Sequence, residues 1–258
     1  MNTDTIRSTD RAASASPDTT TAAAAPAQAT RRHDGYVGIH KALRLFMSNT
    51  LCRVGSTDPS DADEVAATLA QVGALLDTCE LHLKDENDFI HPALERAVPG
   101  SAARIAAEHV HHQEAIDDLR DLAGLIADTR AQARAAGLTR LYHAMALFVA
   151  ENFEHMHYEE TEHNAILWAH YSDEELIAIE HELVASIPPQ AMYAVFHWFM
   201  PALNAQERAG MLAGMKAGMP PEPFAAMLDV ARRTIPAADF AKLARALKLP
   251  PVPGLVAV

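Results

Sequence analysis

The chain has 258 residues, 49% of them hydrophobic, and a formal net charge of −13 from 21 Lys and Arg against 34 Asp and Glu. That apolar fraction argues against a wholly disordered chain. Two Cys argue against a disulfide-dense scaffold or a cysteine-only metal site, and the acidic balance argues against a nucleic-acid or anionic-membrane binder, which needs a basic face. The unusual count is histidine, of which there are 14.

Residues 1–31 are mostly Thr, Ala, Ser and Pro and read as a disordered low-complexity tail. No apolar run there has signal-peptide length. No stretch of the chain approaches the roughly 20 apolar residues that span a bilayer. The expectation is a soluble cytoplasmic protein with no membrane partner.

From His33 onward four long stretches carry apolar residues at helical spacing. The first runs from about Asp34 to Arg53 and the second from about Ser60 to Ala97, with Ser60, Asp61 and Asp63 suited to a helix N-terminus. The third runs from about Ser101 to Ala136 and stops at Gly137, read as a C-cap. The fourth runs from about Leu138 to His170. Strand signals are nearly absent. The expected fold is therefore all-α: an antiparallel up-down four-helix bundle over residues 32–171. Residues 172–249 read as an additional C-terminal helical subdomain, with helices at about 172–186, 190–202, 205–218, 222–234 and 237–247 set off by prolines. Residues 250–258 read as an extended tail.

Twelve of the 14 His fall between residues 33 and 170. Tracing the inward stripe of each helix gives Tyr36, His40, Leu43 and Met47 on the first, and Leu76, Cys79, His82, Glu86 and Phe89 on the second. It gives Ile105, His109, His112 and Ile116 on the third, and Phe148, Asn152, His155 and Glu159 on the fourth. A lone inward His is more often a hydrogen-bonded core residue than a ligand. Two inward Glu among several His, with no Lys or Arg on those stripes, need another positive charge, and a metal cation supplies it. His and Glu at i and i+4 lie one above the other on a helix, so His82 with Glu86 and His155 with Glu159 each offer a nitrogen and an oxygen to one metal. Imidazole and carboxylate donors suit iron or manganese rather than copper(I). His33, His91, His143, His163, His170, His181 and His197 lack this context and read as surface or helix-end residues. Cys52 and Cys79 read as reduced core residues, with Cys79 a candidate oxidation sensor.

Ile39-His40-Lys41-Ala42-Leu43-Arg44, His82 to Glu86 with Phe89 to Leu94, Ala107 to His112, and Glu154 to Thr161 together resemble the hemerythrin-like (HHE cation-binding) family. The resemblance covers just over half the chain. It implies a four-helix bundle around a non-haem di-iron centre, two iron ions with an oxo or hydroxo bridge, that reacts with or carries dioxygen. The implied metal ligands are His40, His82, Glu86, His112, His155 and Glu159, with Glu86 and Glu159 bridging. His109 is nearly as good as His112, and Glu160 stands beside Glu159. The oxygen carriers of the family pair two His as His-x-x-x-His on the third helix, and this sequence has no such pair.

The function expected is binding or sensing of dioxygen or a related small oxidant, or storage of iron. One alternative is a di-iron oxidase or peroxide-consuming enzyme. Another is a helical interaction protein working through the Met-rich C-terminal half (Met192, Met200, Met211, Met215, Met219 and Met227), whose helices could hold a second copy or a protein partner.

Overall fold

The structure, a computed structural model of the chain, describes residues 32–249. The expected tails, 1–31 and 250–258, lie outside the described residues. The described residues are helical apart from short connecting turns, and none of them forms a strand. The elements are α1 (Tyr36–Ser56), α2 (Ala62–Asp85), α3 (His91–Ala97), α4 (Ala103–Ala127), α5 (Ala131–Tyr158) and α6 (Asn164–His170). They continue as α7 (Asp173–Ser186), α8 (Pro189–Ala202), α9 (Ala205–Gly218), α10 (Pro221–Thr234) and α11 (Ala237–Ala246).

Local chemistry sets most boundaries. The Asp61 side chain accepts from the backbone N–H groups of Asp63 and Glu64 and starts α2. Ser172 with Glu175, and Asn204 with Glu207, make reciprocal capping boxes that open α7 and α9. Pro189 and Pro221 occupy first-turn positions of α8 and α10, where a missing N–H costs nothing.

One boundary differs from the sequence expectation. The third and fourth stretches divide at Asp128–Arg130, not at Gly137, which lies inside α5. Thr129 makes the stop, its hydroxyl donating to the Leu125 carbonyl and its N–H to that of Ile126. Gly137 serves packing instead: a Cβ there would stand 2.8 Å from Cγ1 of Ile126, which is itself fully buried. Gly137→Ala should therefore destabilise the fold by about 1–2 kcal/mol, overpacking outweighing the gain in helix propensity. Gly124→Ala, whose Cβ meets nothing within 4 Å, should be neutral or mildly stabilising. Urea denaturation of the two variants checks both.

Helices α1, α2, α4 and α5 pack in a ring: α1 on α2, α2 on α4, α4 on α5, and α5 back on α1. Their shared core includes Leu43, Met47, Leu75, Leu76, Ile116, Leu141, Met145 and Phe148. A second core joins α8 to α11 through Phe196, Met200, Leu212, Met227, Ala231 and Phe240. The Met-rich set is thus spent largely inside the C-terminal helices. α8 also lies along α1, where Trp198 stacks on Phe46 with ring centroids 4.1 Å apart.

A third, smaller apolar cluster of Tyr36, Ala93, Leu94, Ala102 and Leu167 closes the end of the ring where α1 begins. Arg32 ties that end together, donating to the carbonyls of Trp168 and Tyr171 and to Asp173. The site lies between this cluster and the main core. There the helical rise is broken twice, by π-helical turns at Glu86–Ile90 and Glu159–His163. Each begins at the glutamate of a His-x-x-x-Glu pair. A π turn inserts one residue and rotates the later part of the helix, a distortion that recurs at functional sites.

Candidate metal centre

Four helical segments deliver donor atoms to one level of the ring. His40 comes from α1, His82 from α2 and Glu86 from the first π turn. His109 comes from α4, His155 from α5 and Glu159 from the second π turn. They form two groups, each with its donor atoms within 4.8 Å of one another: His40, His82, Glu86 and Glu159; and Glu86, His109, His155 and Glu159. Both glutamates belong to both groups. Glu86 Oε1 lies 3.3 Å from His82 Nε2 and 3.6 Å from His40 Nε2, and Glu86 Oε2 lies 3.4 Å from His109 Nε2. Glu159 Oε2 lies 3.5 Å from His40 Nε2 and 3.5 Å from His155 Nε2. His40 and Glu159 are 0% exposed and Glu86 is 2% exposed.

Five of the six residues expected from sequence, His40, His82, Glu86, His155 and Glu159, come together here. His112 does not enter either group, and His109 stands where the sequence pattern favours His112. His112 sits one turn deeper, its ring edge-on to Phe148 and 4.7 Å from that of His155. Glu160 turns outward to Arg44 and His40.

Hydrogen bonding tests whether a cation fits. All four carboxylate oxygens of Glu86 and Glu159, and the Nε2 atoms of His40 and His82, are buried without a hydrogen-bond partner among the described residues. Each orphan of this kind costs about 1–3 kcal/mol, more if charged. The Nε2 atoms of His109 and His155 face each other at 3.1 Å. Both rings direct Nδ1 to acceptors, Asn87 Oδ1 at 2.9 Å and Glu108 Oε2 at 2.9 Å. With Nδ1 carrying the proton, two lone pairs meet across that gap. Such a contact is repulsive without a cation, and 3.1 Å is the spacing of neighbouring donors about 2.1 Å from one metal. The donor set therefore fits a pair of cations of the imidazole- and carboxylate-binding kind.

Electrostatics agree. Burial, then its neighbour Glu86, pushes the Glu159 carboxyl well above the usual range. Burial acts the same way on Glu86, but His82, His109 and His40 reverse it and hold that carboxyl well below its usual range. Burial drives His82 down to about 3, so it stands as a neutral imidazole, the form that binds metal. At Glu160, burial is outweighed by His40 and Arg44, and the carboxyl is held down to about 2.

Two residues expected at the surface prove to be part of this region. His163 is 0% exposed, its Nδ1 3.2 Å from the Tyr36 hydroxyl. His91 is buried and stacks on His109 with centroids 4.9 Å apart. Each follows a π turn glutamate, by five residues at His91 and four at His163, so the two matched helices resemble each other further than His-x-x-x-Glu. That unequal spacing hides the match in the sequence. Sequence reasoning also misses Glu108, Asn87, Arg44 and Arg104, because each faces outward from its stripe. Cys79 is buried and its thiol is pushed up to about 12 by that burial, which argues against an oxidation sensor. Cys52 is exposed rather than in the core.

A family model for the hemerythrin HHE cation-binding domain matches residues 34–167. The chain belongs to the hemerythrin HHE cation-binding family. A search of curated proteins returns no significant match to the chain. No described helix is long and apolar enough to cross a membrane.

Proposed function

We propose that residues 32–171 are an antiparallel up-down four-helix bundle of the hemerythrin type that holds two non-haem iron ions and binds or senses dioxygen or a related small ligand in the cytoplasm. The ligands are His40, His82, Glu86, His109, His155 and Glu159. The observation that carries this reading is the pair of donor groups sharing two buried glutamates whose oxygens have no other partner among the described residues.

Bound iron would supply a redox-active, Lewis-acidic position for dioxygen, peroxide or nitric oxide. The chain's own residues define the rest. Each ion would have two histidines of its own and share two carboxylates, so the protein offers four residues to a metal that prefers about six donors. That leaves room for an exogenous ligand. A fixed pair of positions suits ligand binding better than storage, which needs a growing reservoir. His40, Glu86, His109, His155 and Glu159 are themselves buried, so bulk water is kept from these donors.

The alternative, a di-iron oxidase or peroxide-consuming enzyme, would report itself at one residue. The buried Tyr36 hydroxyl meets His163, and its phenol is pushed well up by burial and by Glu159 and Glu86 nearby. An oxidisable phenol so placed would be the first casualty of a peroxide-driven oxidase.

The test is metal analysis and optical titration of the full chain. About two iron per chain, with an absorption change on adding dioxygen or nitric oxide that reverses on removing it, is the expected result. Turnover of peroxide, or oxidation of Tyr36 found by mass spectrometry, would move the assignment to the enzyme. No bound metal after anaerobic iron loading would overturn the metal reading.

A further inference from the structure

Two side-chain relays stand just outside the donor groups, one beside each. On one side His40 Nδ1 lies 3.1 Å from Glu160 Oε1, and Arg44 grips the same carboxylate at 2.5 and 3.1 Å. On the other, His155 Nδ1 lies 2.9 Å from Glu108 Oε2, while Arg104 Nε donates to Glu108 Oε1 at 2.8 Å. The elements differ, but the order arginine, glutamate, histidine is the same. We infer that Glu160 and Glu108 are positioning residues, each fixing one histidine of one half of the centre with its Nε2 lone pair turned toward the metal pair. This rests on the di-iron reading above.

The argument is tautomeric. An ionised carboxylate only accepts, so the imidazole nitrogen facing it must carry the proton. The proton then sits on Nδ1 and Nε2 is bare, as a metal ligand requires. In the other tautomer an N–H would point at Glu86 and Glu159 and hold the place of the metal. Such partners also raise the basicity of the ligand and fix its ring plane.

The arginines have a separate task. The centre already carries two buried carboxylates, and two more negative charges nearby would add repulsion. Arg44 and Arg104 neutralise Glu160 and Glu108 where they stand and hold them in orientation. Each donor group thus has one histidine backed by a charged carboxylate. In the second group the other histidine, His109, has only the neutral amide oxygen of Asn87. Glu160 is adjacent in sequence to a ligand and chemically able to be one, and its pairing with Arg44 and His40 takes it out of contention.

The experiment uses the full chain with Glu160→Leu, Glu108→Leu, the double variant and the corresponding Gln replacements. Iron per chain and the rate of extraction by a fixed chelator are measured, together with imidazole nitrogen NMR of the metal-free wild type. Each Leu variant should keep one firmly held iron and release the other about 10–100-fold faster. The double variant should keep neither. Gln, which still accepts a hydrogen bond, should restore most of the retention, and Asn87→Leu should have a smaller effect than Glu108→Leu. The NMR should find His40 and His155 protonated at Nδ1. Wild-type extraction rates in both Leu variants, or protonation at Nε2, would overturn the inference. A wild type that takes up no iron would instead overturn the di-iron reading, and the tautomers of His40 and His155 would still decide the role of the two glutamates.

Discussion

Replacing either Glu86 or Glu159 with alanine should empty both of the proposed metal positions, not one. Glu86 approaches His40 and His82 with one oxygen and His109 with the other. Glu159 approaches His40 on one side and His155 on the other. On the proposed di-iron reading, either deletion removes a donor from each half and the negative charge that would hold two cations close together. Iron content should fall from about two per chain to nearly none in both variants, whereas His82→Ala should retain part of it. Metal-free stability should move the opposite way. Without a cation, Glu86 and Glu159 share a dry site in which both cannot ionise comfortably. Both Glu159 oxygens are buried without a hydrogen-bond partner among the described residues, so an apolar side chain of similar size removes a desolvation cost of about 1–3 kcal/mol. Glu159→Leu should thus unfold at equal or higher urea concentration than the metal-free wild type while binding no iron. A variant that keeps one iron, or that unfolds much earlier without metal, would show that the glutamate belongs to one half only or holds the apo fold together.

How far the sequence alone reaches is clearest at the third helix. His109, His112 and Ile116 succeed one another at helical steps on one face. Periodicity says that they point inward but not which turn lies level with Glu86 and Glu159. That depends on how far each helix slides along its neighbours, which a one-dimensional pattern does not encode. The choice between Glu159 and Glu160 rests on repetition with Glu86, since local spacing repeats wherever the backbone does. The same logic fails one turn later. The π turn after Glu86 adds a residue to the helical count, so His91, five residues on, falls off a stripe drawn at 3.6 residues per turn and looks like a surface residue, whereas His163, four residues after Glu159, stays on its stripe and its burial is legible from spacing. Gly137 misleads for another reason. Glycine after an apolar run is the usual mark of a helix end, and only the approach of Ile126 shows that here it makes room for a neighbour. The C-terminal helices, delimited by Pro188, Pro220 and Pro236 and by capping boxes, are the part where local chemistry alone is enough.

Acid should destabilise this protein between about pH 6.5 and 4, and more steeply with iron than without. His82 is pushed down to about 3, and His91, His112 and His163 to about 4, by burial above all; His155 is lowered by the same cause. In the unfolded chain all five take up a proton near 6.5. Across this window the unfolded state binds more protons than the folded one, so stability falls as pH falls. Glu159 opposes them, because its raised carboxyl keeps a proton after the unfolded chain has lost it near 4.5, and its contribution weakens as pH rises. His40, raised by Glu160 and Glu86 against the pull of burial, acts only above 6.5, where its stabilisation is lost with rising pH. Asp85 opposes them as well, its carboxyl raised by burial to about 6, but five imidazoles against two carboxyls still leave the sign positive, at about 1.4 kcal/mol per pH unit for each net proton. Bound iron adds its own proton competition, since every ligand binds only when deprotonated. Urea midpoints of metal-free protein at pH 4.5, 5.5 and 6.5 should therefore rise in that order. The extra stability conferred by iron should shrink toward the acid end as the metal is released. A metal-free midpoint that is higher at pH 4.5 than at 6.5 would mean that the buried histidines are charged in the folded state. The cluster would then be a set of ion pairs balancing Glu86 and Glu159 rather than neutral donors set for metal.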